Sequence, residues 1–154
     1  MRRLLVPVIL PLACSWVSRQ ERRILREGVP LDLTQLADAR AIGVLQPERV
    51  RVLHVLTVPL PGSWLSGVAR YFGGTSFRDT SGLSAQYGIF IRARFAADRH
   101  LLAHELTHTH QYERMGGIRP FLRQYLNECL TVGYLMAEME REARDAAERV
   151  CAGG

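Results

Sequence analysis

Two histidines and a glutamate form the clearest chemical motif of the chain, His104-Glu105-Leu106-Thr107-His108. Residues four apart on an α-helix lie above one another, about 40° apart around the axis, so both imidazoles can face one metal ion. Zinc accepts such nitrogens at about 2.0–2.1 Å and keeps one position open for water in a hydrolytic site. Glu105 flanks that position without being a ligand and can accept a proton from the water. The motif therefore predicts a hydrolytic zinc site with Glu105 as general base.

The motif requires a helix, and the surrounding residues predict one. Asp98 is a suitable N-cap, apolar residues recur at helical spacing as far as Tyr112, and Gly116-Gly117 ends the element. His110 lies two residues past His108 and therefore faces the other side of this helix.

The third ligand is predicted to be a carboxylate, because no histidine follows His110 in the chain. Glu128 is one candidate, since a tight turn at residues 116–117 would fold the next helix back beside the motif. Glu140 is the other candidate, because it lies near the apolar stripe of the last helix. That stripe consists of Met136, Met139, Ala143, Ala146, Ala147 and Val150. A carboxylate at a buried edge suits a ligand, so we favour Glu140 and keep Glu128 as the alternative.

The remaining sequence predicts a mainly helical α+β domain with a small sheet beside the motif helix. Helices are predicted at 15–27, 32–42, 98–114, 120–134 and 137–150, and strands at 50–58 and 86–92. Residues 63–86 are rich in glycine, serine and threonine, which predicts a loop that contains at most one short helix. The length suits a single domain over residues 15–154.

Composition narrows the classes of partner. Twenty basic residues against fifteen acidic ones give a net charge of +5, but the arginines are scattered, so no specific nucleic-acid partner is expected. Three cysteines without a CxxC pair predict neither a disulfide framework nor a cysteine zinc site, and they favour the cytoplasm.

Residues 1–14 allow two interpretations. Arg2-Arg3 followed by the apolar run 4–12 has the shape of a signal or membrane-anchoring segment. The run is too short to span a bilayer, and Pro7 disfavours a membrane helix. Pro11 stands where the cleavage site of a lipoprotein signal prefers leucine. We therefore favour the alternative, an N-terminal segment that packs on the domain.

Two segments carry a resemblance to a known family: LLAHELTHTHQY at 101–112 and EREARD at 140–145. They resemble small bacterial gluzincin-like metallopeptidase domains. The resemblance implies a zincin-like fold, a zinc cofactor held by His104, His108 and Glu140, and a peptide or protein substrate. Arg144 stands where that family carries an aspartate.

The stretch after the motif is also locally similar to thermolysin-like enzymes. Glu128 follows His108 by twenty residues, the spacing at which those enzymes supply the third ligand. Val132 replaces the aspartate that accompanies it there.

The zincin likeness further implies that residues Tyr87–Ile91 form the edge strand beside the motif helix, where an extended substrate adds through backbone hydrogen bonds. The alternative is an interior strand. Tyr87, Tyr112 and Tyr134 are candidate donors to a developing oxyanion.

Three functions are compatible with these residues: a zinc peptidase, a non-catalytic binding module that keeps the fold, and a DNA-associated protease with a basic surface. The intact Glu105 favours a peptidase over a scaffold, because a scaffold has no need of a base. The third function requires clustering of the arginines.

Overall fold

The computed structural model describes residues 6–61 and 80–153. Its helices are α1 (Val6–Glu27), α2 (Leu33–Ile42), α3 (Arg99–Met115), α4 (Ile118–Val132) and α5 (Glu138–Ala152). Its strands are β1 (Val29–Pro30), β2 (Arg51–Val55), β3 (Gly82–Ala85) and β4 (Gly88–Arg92). Short 3-10 turns occupy Pro47–Arg49, Ala93–Phe95 and Tyr134–Met136. The prediction of a mainly helical α+β chain with a small sheet is confirmed, and the short helix considered within 63–86 falls largely outside the described residues.

The four strands form one sheet in the order β1-β2-β4-β3. Strand β4 runs parallel to β2 and antiparallel to β3, so the prediction that Tyr87–Ile91 is the edge strand is wrong. Ile89, Phe90 and Ile91 are all buried, which shows that both faces of β4 are covered, as expected of an interior strand. Within the described residues the edge beside the motif helix is β3, in a stretch predicted as loop.

Helix α1 begins at Val6 rather than at Ser15 and includes Pro11. Its first turns bury Val6, Ile9, Leu10 and Ala13 against the domain, and this burial offsets the hydrogen bond that proline removes. Residues 6–14 thus pack on the domain in this structure. No helix in the described part of the chain combines the length and apolarity needed to cross a membrane.

Helix α3, which carries the motif, is fixed at both ends. Asp98 caps its first turn by accepting from the amide of Leu101, and Gly116 ends it in the left-handed conformation at φ 92°, both as predicted. Near the start, Arg99 donates to both carboxylate oxygens of Asp38 on α2 at 2.8 and 2.9 Å. Near the end, Glu113 accepts from the backbone amides that follow α2, at residues 45 and 46.

Helix α5 packs along α3, and its first turn is stabilised by a neighbouring helix. Ala137 at its N-cap offers no side-chain oxygen. Glu128 of α4 supplies one instead, because its Oε2 accepts from the amide of Met139 at 2.9 Å. Glu128 therefore has a structural role that sets the start of α5.

We expect Ile24→Ala to lower the free energy of unfolding by about 2–5 kcal/mol. Ile24 is fully buried and its side chain lies against Gly88 of β4, so truncation leaves a cavity between α1 and the sheet. Urea denaturation measures the effect, with Leu25→Ala on the exposed side of α1 as the matched control. Equal unfolding midpoints for the two variants would contradict this account of the core.

Candidate metal centre

His104, His108 and Glu140 meet between α3 and α5 as a compact triangle of possible ligand atoms. The Nε2 atoms of the histidines lie 3.2 Å apart, and they lie 3.1 and 3.2 Å from the two carboxylate oxygens of Glu140. Two ligands of a tetrahedral zinc ion at about 2.05 Å would lie about 3.3 Å apart. The triangle therefore has the dimensions of three corners of such a tetrahedron.

The burial of Glu140 also fits a cation. Its side chain is only 1% exposed, and its Oε2 lies 3.1 Å from Nε2 of His104 but forms no well-aligned hydrogen bond within the described residues. A buried carboxylate oxygen with only such a contact is costly, and a metal ion inside the triangle would satisfy it. The donor set of two imidazoles and a carboxylate is the one that hydrolytic zinc sites use.

Gln111 fixes the orientation of His108. The amide nitrogen of Gln111 donates to the carbonyl of Met139 at 3.0 Å and to Oε2 of Glu142 at 2.8 Å. Its Oε1 must therefore be the acceptor that faces Nδ1 of His108 at 2.8 Å. Because Nδ1 carries the proton in that bond, the lone pair of a neutral His108 lies on Nε2, which points into the triangle.

Glu105 lies beside the triangle and against strand β3. It is buried, and burial raises its pKa above the usual range against the opposing charges of His108 and His104. A Cβ atom at Gly82 would lie 2.7 Å from Oε1 of Glu105. The strand can therefore approach this carboxylate so closely only because residue 82 has no side chain.

Two tyrosines lie close to Glu140. Tyr125 of α4 donates to Oε1 of Glu140 at 2.7 Å. Burial, the charges of Glu140 and Glu105, and a hydrogen bond with Glu140 raise the pKa of Tyr134. Of the three tyrosines predicted as oxyanion donors, Tyr134 is thus the one that the structure brings to the triangle.

The other two tyrosines are engaged elsewhere. Tyr87 donates to Glu113 at 2.9 Å, near the far end of α3. Tyr112 is buried, and its hydroxyl donates to the carbonyl of Ser84 at 3.3 Å.

The charges of the triangle are coupled. Burial by itself lowers the pKa of His108, but the hydrogen bond and charge of Glu140 outweigh it and raise that pKa to about 9. Burial likewise raises the pKa of Glu140, but the facing imidazoles of His104 and His108 hold it well below its usual range. The metal-free site thus holds an imidazolium beside a carboxylate near neutral pH.

The remaining candidate residues lie away from the triangle. Glu128 accepts from Gln124 and from the backbone of Met139, so it is not grouped with the histidines. The ring of His110 packs against Gly43, on another side of α3 as predicted. Arg144, at the position where the resembling family has an aspartate, donates to the carbonyl of Leu135 at 2.8 Å.

Sequence reasoning missed two members of the site, Tyr125 and Gly82. No local signal in the sequence shows that the hydroxyl of Tyr125 reaches another helix. Gly82 stood among other glycines in a stretch predicted as loop. Only the packing of β3 on α3 distinguishes it from its neighbours.

Comparison with protein-family models, with curated proteins and with solved structures finds no match to this chain. Function must therefore be argued from the chemistry of the site.

In the metal-free protein we expect His108 to titrate near pH 9. Glu140→Gln removes the hydrogen bond and charge that contribute most to stabilising the imidazolium, so the pKa should fall from about 9. Nitrogen-15 NMR of the imidazole measures both titrations. Glu138→Gln, an exposed position on the same helix, is the matched control. An equal His108 titration in the two variants would show that Glu140 does not cause the shift.

Proposed function

We propose that this chain is a zinc-dependent metallopeptidase with a zincin-like fold. The observation that carries the proposal is the triangle of His104, His108 and Glu140, with Glu105 directly beside it. A structural zinc site is normally closed by four protein ligands, whereas three ligands leave a position for water. A flanking carboxylate is the further group that hydrolysis requires.

The residues of the chain divide the work between binding and proton transfer. When bound, zinc would polarise a water molecule and a peptide carbonyl. Glu105 would accept the proton of that water at its carboxylate. Because burial raises its pKa, Glu105 holds a proton more readily than an exposed glutamate and is better suited to take up and release one near neutral pH. Gln111 and Tyr125 hold His108 and Glu140 in place.

Tyr134 is the preferred donor to the developing oxyanion. Its hydroxyl lies beside Glu140, and its side chain is also partly open to solvent, so a substrate can reach it. Tyr112 is disfavoured because it is fully enclosed and already bonded to β3.

Strand β3 is the proposed backbone partner of an extended peptide. The amide of Arg92 donates to the carbonyl of Ser81, and hydrogen-bonded pairs alternate along an antiparallel ladder. Residues 83 and 85 therefore bond to β4, whereas the backbone groups of residues 82 and 84 point away from β4. The carbonyl of Ser84 already accepts from Tyr112, which leaves Gly82 as the described residue for pairing. Gly82 also contacts Glu105, so a peptide paired there would pass the proposed base.

We expect one zinc ion per chain, lost in His104→Ala and in His108→Ala because two ligands no longer hold the metal firmly. Glu105→Gln should keep its zinc but hydrolyse peptides about 10²–10⁴-fold more slowly, because only the base is removed. Elemental analysis of zinc-reconstituted protein and cleavage of unfolded casein measure the two properties.

His110→Ala is the matched control, since it removes a histidine from the same helix that lies away from the triangle. It should retain both zinc and activity. Zinc retained in both ligand variants would refute the metal site. Wild-type cleavage rates in Glu105→Gln would instead refute the assignment of the base.

A second test separates Glu140 from Glu128. Glu140→Ala removes the charged oxygen ligand, so a mild chelator should strip its zinc. Glu128→Ala removes only a cap, which should cost about 1 kcal/mol of stability and leave the zinc largely bound. Dialysis against the chelator followed by elemental analysis reads out the difference.

Circular dichroism of both variants must first show folded protein. Zinc lost from folded Glu128→Ala but held by Glu140→Ala would reverse the ligand assignment.

A further inference from the structure

An apolar surface lies at the turn between α4 and α5, next to the candidate metal centre. Val132, Leu135 and Met136 are 52%, 64% and 73% exposed. We name these three residues the apolar lip. Large side chains exposed together beside a site mark a surface for binding, whereas single exposed apolar residues are ordinary.

The lip is continuous with the site through Tyr134. This residue lies within the lip segment, and besides burial the charge of Glu140 is close enough to raise the pKa of its hydroxyl. The neighbouring Leu135 accepts through its carbonyl from Arg144, one turn after Glu140 on α5. Leu135 and Met136 complete the same 3-10 turn, Tyr134–Met136. A substrate that reached the triangle past Tyr134 would therefore meet the lip.

The lip is also held in position from several sides. Gly133 enters the turn with φ 83°, a conformation that favours glycine. Arg144 donates to the carbonyl of Leu135, and Glu128 anchors the start of α5 just beyond the turn. The exposed salt bridge between Glu138 and Arg141 lies at the start of α5, directly after the turn that carries the lip. An exposed apolar patch beside charged residues is typical of a binding surface.

We propose that the apolar lip binds a large apolar side chain of an extended peptide substrate and so selects the bond that is cleaved. This inference rests on the proposed peptidase function and adds its substrate class, unfolded segments rich in Leu, Phe, Met or Ile. Backbone pairing with β3 gives no such selection, because it is independent of sequence. The lip supplies the apolar contact that pairing lacks.

The experiment uses the zinc-loaded full chain and unfolded casein, with the fragments identified by mass spectrometry. The wild type should show large apolar residues enriched at one fixed position relative to the cleaved bond. The double variant Leu135→Ser/Met136→Ser should lose that enrichment. Relative to the wild type, its kcat/KM should fall about tenfold on a synthetic peptide with leucine at that position. On the same peptide with alanine there, the fall should be less than about twofold. Leu45→Ser, another exposed leucine at 76%, is the matched control and should behave as wild type.

A binding measurement provides a readout apart from turnover. Zinc-loaded Glu105→Gln should bind a dansylated leucine peptide about tenfold more tightly than the same protein with the lip substitutions. If the lip variant cleaves with an unchanged preference, the proposed role of the lip is wrong but the proposed peptidase function stands. If the zinc-loaded wild type cleaves nothing, both proposals are wrong. If the preference is unchanged and the variant loses self-association, the lip instead binds a second copy of the chain. If it loses binding to phosphatidylcholine vesicles, the lip instead binds a membrane.

Discussion

The burial of one carboxylate governs the arrangement of the last three helices. Glu140 is almost completely enclosed, and a buried charge is stable only when it is paired and hydrogen-bonded. Its partners come from two other helices: the histidines of α3 and the hydroxyl of Tyr125 on α4. The three helices must therefore pack in one relative position, because any shift would leave the carboxylate without partners in an apolar interior. The same condition fixes the candidate ligand geometry.

Helix α3 meets the rest of the domain with three different faces. One face places its histidines and Gln111 against α5, where Glu142 joins Gln111 to Arg114 through bonds of 2.7 to 2.9 Å. A second face packs Glu105, Thr109 and Tyr112 against β3, with Thr109 donating to the carbonyl of residue 86 at 2.8 Å. The third face is tied to α2. Each contact limits rotation of the helix about its axis, and this limit keeps the proposed base and ligands in register.

Short sequence patterns were sufficient to predict the elements whose structure depends only on neighbouring residues. Asp98, Gly116 and the four-residue spacing of the histidines predicted α3 correctly, because caps and helical periodicity are properties of short segments. Strand β3 escaped prediction, since Gly82 and Ser84 have poor strand propensity and are ordered by β4 and α3. The start of α1 was placed too late, because residues 1–14 were interpreted as a separate segment, whereas the structure continues the helix through residues 6–14. Long-range contacts such as that of Tyr125 with Glu140 leave no local pattern.

The charge balance of the centre explains how one set of side chains can suit both a metal-free and a metal-bound state. Glu105 and Glu140 bring two carboxylates into a buried region. Without metal, the raised pKa values of His108 and Glu105 favour protons that offset this negative charge. A divalent ion would supply the same compensation and displace the protons. The family that this chain resembles has an aspartate where this chain has Arg144, so this chain lacks a third carboxylate at that position. Arg144 instead donates to the carbonyl of Leu135. Two carboxylates and one divalent cation leave the buried centre close to neutral, the condition under which its burial costs least.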